Sequence, residues 1–425
     1  MAYTSSSFII LLLSGLLVFA FLSARAKIPA LILMSLAWFS TWNIFIPLFL
    51  VPLILIHHYC ALKGKIWPAA VISLITLCFL RLEEASLVVG SSFYLLILMA
   101  YTIDVVRRKS PALKLDEAIL LGSFFPMMMA GPVERSETFS SEIKKSQVTW
   151  GTVVDGTLIF SMGFLKVYFL HRPLLDLSAH YAKQDHFWQS CLATLIATLG
   201  VYVSLTGFSD MGRGIARAFG IILQPSFRPV IFARDPSDFW ERWNRTVAGW
   251  FREYLVFPSL LKWGRKIPAN LILFGAFVLL GLWHGFEILW LLFGIFNGLM
   301  VIMGSAIRKR WSENFSGRIL VFLMLMGNGL YHVFDLIFHA DNGHWLRNLQ
   351  QAERLNHISY LFYGSILVLF LVDWMQEKTG ENDFFLKWPV SVKRTLAIIL
   401  FFLWVLLIDH RTAPSNDSLP IYFNL

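Results

Sequence analysis

Long apolar runs, each broken by a short polar stretch, recur from one end of the chain to the other. Runs suited to spanning helices, which need roughly 20 mostly apolar residues, cover 7–23, 30–56, 67–80, 87–105, 153–170, 189–207, 268–283, 286–304, 318–337, 358–374 and 393–409. The run 30–56 is long enough for a tilted helix or a broken pair. Ala118–Ala130 is apolar but short and meets Gly131-Pro132 at once, the pattern of a re-entrant or half-membrane element. The pattern predicts an all-α polytopic membrane protein with about eleven transmembrane helices. No repeat, low-complexity tract or linker interrupts it, so residues 1–425 read as a single membrane domain. Phe8–Leu22 follows no charged region and reads as a first retained helix rather than a cleaved signal.

The pattern changes at 208–266, which is polar, rich in aromatics and too long for an ordinary loop. Within it, Ser237–Val256 predicts one amphipathic helix with Ser237 as N-cap and Asp238 in the first turn. Trp240, Trp243, Val247, Trp250 and Tyr254 mark one face, while Glu241, Arg245 and Arg252 lie off it. Such a helix lies in or against the membrane interface, where its plainest role is to anchor.

Composition agrees. Hydrophobic residues make up 57% of the 425 positions and charged ones only 15%. A soluble globule of this size has no core able to hide that much apolar surface, and disorder requires the opposite balance. The net charge of +9 sits in short clusters between the apolar runs: Arg25 and Lys27; Lys63 and Lys65; Arg107, Arg108 and Lys109; Lys144 and Lys145; Arg308, Lys309 and Arg310. That distribution is cytoplasmic-loop bias rather than a nucleic-acid face. Cys60, Cys78 and Cys191 stand far apart, giving neither a disulfide framework nor a zinc motif.

Of the eleven histidines, most fall at apparent span ends or in loops: His57, His58, His171, His180, His186, His339, His344, His357 and His410. Those positions suit interfacial polar groups. The spacing of His339, Asp341 and His344 matches no helical metal pair. His284 and His332 fall within or at the end of apolar runs, where an ionisable residue points to function. A histidine hydrogen-bonded inside a helix bundle is the plainer account of either. His284, in Gly-Leu-Trp-His-Gly, is the sharper candidate, because Gly281 and Gly285 allow backbone or substrate close to it. Asn244, beside Trp243, lies near the polar–apolar boundary of the aromatic helix; its amide suits a backbone cap or a substrate carbonyl.

Five segments in order then resemble those of the membrane-bound O-acyltransferases, closest to the bacterial branch of alginate O-acetylases and teichoic acid D-alanyl transfer proteins. SSFYLLILMAYTIDVVRRK (91–109), FFPMMMAGPVER (124–135), VYVSLTGFSDMGRGIARAFG (201–220), DFWERWNRTVAGWFREYLVFP (238–258) and LGLWHGFEILWLLFGIFNGL (280–299) are similar to that family's successive motifs. Together they span about residues 90 to 300. The resemblance implies a helical fold around a central tunnel and a multi-pass position in the bacterial cytoplasmic membrane. His284 matches the family's invariant histidine and Asn244 its second site position, usually His in the bacterial branch. An Asn takes no proton, so His284 is the sole imidazole of that pair. Asn297 also departs, standing where the bacterial pattern usually has His.

The implied activity is acyl transfer, acetyl or D-alanyl, from a thioester on an acyl carrier protein or acyl-CoA. The acceptor is a hydroxyl of a cell-surface polysaccharide or teichoic-acid-like polymer. His284 acts as general base, and Asn244 orients the acyl carbonyl or steadies its charge. Trp240, Trp243, Trp283, Ser209, Asp210 and Tyr422 are the implied substrate-binding residues. The tail Leu419–Leu425 resembles family tails, and Tyr422 either relays the acyl group or sits in an interfacial aromatic anchor. No metal, cofactor or nucleic acid is implied; a periplasmic or extracellular partner acyltransferase is. Two other accounts remain: a transporter or flippase with a polar path through 208–266, and acylation of a lipid.

Overall fold

The structure is a computed structural model that describes residues 6–82, 91–128, 130–182, 186–310, 314–338 and 360–409. Helices are the regular elements among them. The helices α1 (Ser6–Phe21), α2 (Ala24–Ser40), α3 (Phe45–Leu62), α4 (Ile66–Leu82) and α5 (Ser91–Val106) come first. There follow α6 (Leu115–Ser123), α7 (Ser136–Lys145), α8 (Trp150–Leu165), α9 (Arg172–Ala182) and α10 (Phe187–Ala218). Three short helices come next, α11 (Pro236–Arg242), α12 (Arg245–Phe251) and α13 (Phe257–Trp263). The last are α14 (Ala269–His284), α15 (Ile288–Arg310), α16 (Asn314–Phe338), α17 (Tyr360–Thr379) and α18 (Val390–Asp409). Among the described residues five helical stretches are long and apolar enough to cross a membrane, and five shorter ones are apolar. Several expected spans thus belong to the shorter class.

The chain divides into two compact units. The first comprises Met1–Phe164, Phe208–Ser226 and Phe385–Leu425. In it the apolar run 30–56 is a broken pair: α2 ends where the Thr41 hydroxyl donates to Trp38 O (2.6 Å), and Asn43 Oδ1 accepts the Phe45 N–H (2.9 Å) just ahead of α3. Aromatic rings fill the interior, with Trp38 5.5 Å from Phe125 and Phe124 5.4 Å from Phe139. The short run from Ala118 forms most of α6 and a 3₁₀ turn at Phe125–Met127, whose three residues are all buried. Helix α8 meets the end of α10 at Gly156 and Gly214. A Cβ on Gly156 would lie 2.6 Å from both Gly214 O and Ala218 N, so only glycine permits the crossing. Asp155 beside it accepts from Arg217 Nη2 and Lys393 Nζ, each at 2.8 Å. Ile10, Phe21, Leu33 and Trp67 are 69–84% exposed, an apolar surface suited to lipid.

His57 and His58 correct an expectation. They are buried in the unit's interior rather than interfacial, because α3 continues to Leu62. Thr102 Oγ1 donates to Leu98 O (2.9 Å), so it accepts from His57 Nδ1 (3.0 Å), and Ser73 donates to His57 Nε2 (3.0 Å). His58 Nδ1 meets the Tyr101 hydroxyl at 2.8 Å.

The second unit comprises Leu165–Gly207 and Phe227–Phe384. Its centre is the α14–α15 hairpin, where Gly281 packs against the Trp290 carbonyl and Gly294. The expected single helix over 237–256 is instead α11, α12 and a π-helical turn at Arg252–Val256. Asp235, not Ser237, caps α11: its Oδ1 accepts the N–H groups of Ser237 (2.8 Å) and Asp238 (3.1 Å), with Pro236 in the first helical position. The break falls at Trp243, which is extended, and Asn244, which is left-handed (φ 37°, ψ 51°).

Candidate functional site

His284 is the last residue of α14. Its Nδ1 lies 2.8 Å from Leu280 O, and a carbonyl only accepts, so Nδ1 carries the hydrogen. The neutral ring then has its lone pair on Nε2. Three aromatic side chains hold the half-buried ring. Trp290 stacks on it (4.9 Å between centroids, 20°), while Trp283 (4.7 Å) and Phe293 (5.6 Å) meet it nearly edge-on. The space beside Gly285 is taken by the Trp290 indole, so the room that glycine provides is used by the protein's own side chain.

The two short helices flanking Asn244 pack on this same hairpin. Trp240 of α11 lies 5.3 Å from Phe277 and 6.3 Å from Phe293, the ring that also walls His284. Phe251 of α12 lies 6.5 Å from Trp283. The joint that carries Asn244 is thereby brought to the part of the unit that carries His284. Asparagine suits this joint, because its short polar side chain tolerates the left-handed region. The Asn244 carbonyl starts α12 by accepting from Val247 N (2.9 Å) and Ala248 N (3.0 Å). Its side chain makes no cap bond, and Oδ1 is buried with no partner among the described residues. The buried Trp240 Nε1 likewise has none there. Buried polar atoms are normally satisfied, so this acceptor and this donor each have bonding capacity for a water or a ligand.

The electrostatics around the joint are positive. Burial, with Arg228 and Arg252 nearby, pushes the Arg245 guanidinium below its ordinary pKa against the pull of Glu241. Arg242 differs: burial works against its charge, but hydrogen bonds to Glu377 and Asp238 outweigh that and raise its pKa.

The remaining expected residues fall in different places. Phe239 (5.5 Å, 17°) and Tyr202 (6.1 Å, 30°) both stack on Trp243. Ser209 and Asp210 belong to the first unit, where Ser209 Oγ is buried without a partner among the described residues and Asp210 accepts from Arg213 (3.1 Å). Tyr422, and the trio His339, Asp341 and His344, lie outside the described residues. His332 is in α16. Among the described residues no group of three His, Cys, Asp or Glu side chains is placed to hold a metal ion.

Asn297 is fully buried and makes a reciprocal amide pair: its Nδ2 donates to Asn328 Oδ1 (2.8 Å) and the Asn328 Nδ2 to its Oδ1 (3.3 Å). It also donates to Phe293 O (2.9 Å), one turn back on α15, so the pair steadies the helix that walls His284. Asn328 was not singled out from the sequence. Neither were Trp290 and Phe293, although the motif around His284 contains both.

"Probable alginate O-acetylase AlgI" of Pseudomonas syringae pv. tomato is 28% identical over 270 residues, covering 62% of this chain and 51% of that protein. The peptidoglycan O-acetyltransferase of Helicobacter pylori is 28% identical over 207 residues, 45% of this chain and 37% of that one. The teichoic acid D-alanyltransferase of Bacillus subtilis is 23% identical over 214 residues, 45% of this chain and 52% of that one. The chain thus spans about half the length of the relatives it matches, or less. The family model described as the membrane-bound O-acyltransferase family matches residues 117–334, just over half of the 425 positions and inclusive of His284 and Asn244. The chain is an integral membrane protein and belongs to the membrane-bound O-acyltransferase family.

Proposed function

We propose that the protein transfers an acyl group, acetyl or D-alanyl, from a thioester to a hydroxyl of a cell-surface polymer, with His284 as general base. The thioester is carried by an acyl carrier protein or coenzyme A, and the protein works in a bacterial cytoplasmic membrane. The observation that carries this reading is a histidine of defined tautomer walled by Phe293, the ring that also meets Trp240, in a unit where the buried Asn244 Oδ1 and Trp240 Nε1 have no partner among the described residues. The acceptor hydroxyl gives its proton to His284 Nε2 as its oxygen attacks the thioester carbonyl. Charge then develops on that carbonyl oxygen, where the Asn244 Nδ2–H and Trp240 Nε1–H donors stabilise it. The carbon–sulfur bond breaks, and the imidazolium returns the proton to the departing thiolate. The ester forms, the thiol leaves and His284 is neutral again. The aromatic walls keep out water, which would divert the acyl group to hydrolysis. Arg228, Arg245 and Arg252 supply a positive field suited to carboxylates or phosphates of an anionic acceptor. The relatives' names, alginate, peptidoglycan and teichoic acid, point to cell-surface polymers as the class.

The test replaces the chromosomal gene with variants and measures alkali-labile acyl ester on the isolated cell-surface polymer by mass spectrometry, normalised to protein in the membrane. His284→Ala is expected to lower ester formation by about 10²–10⁴-fold, and the mass of the missing ester identifies the acyl group. Undiminished ester in that variant removes His284 from the mechanism.

A further inference from the structure

We infer that Glu377, on α17 and beyond the stretch matched by the family model, is a positioning residue that holds Asn244 in its working conformation through Arg242. The inference rests on the proposed role of Asn244. It begins from backbone strain: Asn244 is one of two non-glycine residues with positive φ among the described residues. Such a conformation costs roughly 1–3 kcal/mol and persists where its surroundings over-determine it. What fixes this one lies immediately before it.

Arg242 ends α11, two residues ahead of Asn244. Its Nη1 donates to Glu377 Oε2 (2.5 Å) and its Nη2 to Glu377 Oε1 (3.1 Å), a two-pronged pair. Its Nε donates to Asp238 Oδ1 (2.9 Å) and its Nη1 also to Pro229 O (3.0 Å). Its own carbonyl accepts the Arg228 N–H (2.9 Å). The guanidinium therefore ties the end of α11 both to the preceding strand of loop and to α17.

Trp243 is held from the same source. Tyr202, stacked on it, donates its hydroxyl to Asp373 Oδ2 (3.0 Å), one helical turn before Glu377. Phe227, edge-on to it at 5.8 Å, has its carbonyl held by Asn382 Nδ2 (2.7 Å), and Asn382 O accepts from Gln376 (2.8 Å). Asp373 and Glu377 lie four apart, on one face of α17. Removing the Glu377 charge leaves a half-buried guanidinium short of its main partner and frees the turn to relax.

The test uses the same ester assay in cells. Glu377→Gln is expected to lower ester by about tenfold, and Glu377→Asp, which keeps the charge, to recover to within about threefold of wild type. Asn244→Gly, which removes the amide and tolerates positive φ, sets the background. In it, Glu377→Gln is expected to cost nothing further. An equal tenfold loss on both backgrounds overturns the inference, as does wild-type ester in Glu377→Gln while Asn244→Gly is impaired; in both cases the proposed function stands. Wild-type ester in Asn244→Gly overturns the role of Asn244 and this inference with it. If Glu377→Gln fails to accumulate in membranes, Arg242→Lys, which keeps the charge but loses the fork, takes its place in the same cycle.

Discussion

Asp155 and Asn244 are both polar groups set among apolar helices, and they are treated in opposite ways. Each carboxylate oxygen of Asp155 has a cation at 2.8 Å, Arg217 on one and Lys393 on the other. The Asn244 amide oxygen has no partner among the described residues, and its backbone is strained. A carboxylate whose two oxygens are each ion-paired is neutralised in place, so its work is cohesion. A buried amide oxygen without a partner costs stability and keeps bonding capacity for something that binds.

This contrast can be broken most forcefully at Asp155. Asp155→Ala strands two partly buried cations and is expected to destabilise by about 3–5 kcal/mol, read as a lowered melting temperature in detergent. A melting temperature within a degree of wild type would mean that the cluster does not hold the first unit together. Asn244→Gly should do the reverse, lowering ester formation by about 10²–10³-fold, the cost of a lost oxyanion donor, with the melting temperature equal to or above wild type, since the unpartnered oxygen is removed and glycine accepts the positive φ. Trp240→Phe keeps most of the packing and deletes one idle donor. We expect about a tenfold loss of ester and a melting temperature equal to or above wild type, since an unsatisfied buried N–H has been removed.

The smallest effect is expected at Glu134, which sits between these extremes. Its Oε1 accepts the Gln224 N–H (2.6 Å), and its Oε2 is buried without a partner among the described residues. Burial pushes its carboxyl up to about 7, against the pull of that N–H, Arg135 and Arg213. The folded state therefore holds a proton that the unfolded state has already released above about 4.5. The stability it contributes is present at low pH and lost as pH rises towards and past 7. Glu134→Gln removes that dependence. It is expected to match wild type near pH 5 and to be more stable by roughly 1–3 kcal/mol near pH 8. Parallel melting curves at the two pH values would show that Glu134 is ionised throughout.

The apolar runs made the membrane class and most helices legible, because a spanning helix writes its length directly into composition. The joint at Asn244 was hidden by its own regularity. Trp240, Trp243, Val247, Trp250 and Tyr254 keep a three- or four-residue rhythm across the break, so periodicity alone continues the helix. The cap was displaced by two residues for a local reason, since Asp235 followed by Pro236 is as strong a start as Ser237 followed by Asp238. His57 was misplaced because its helix runs past the last strongly apolar residue. Glu377 had a weak signal, an acidic residue one turn after Asp373 at the end of an apolar helix. Its partner lies 135 positions away, and a pairing over that distance leaves no periodic trace. His284 stands out as an ionisable residue at the end of an apolar run between two glycines, and Asn244 as an amide on an aromatic helix; the motif resemblance is what pairs them.

The bond from His284 to Leu280 has one further consequence. The Leu280 carbonyl decides which ring nitrogen of His284 carries the hydrogen, so the tautomer is written into the backbone of α14. Trp290, Trp283 and Phe293 decide how the ring is packed. Tautomer and packing therefore have separate sources, and a substitution in the aromatic walls changes the second without removing the bond that sets the first.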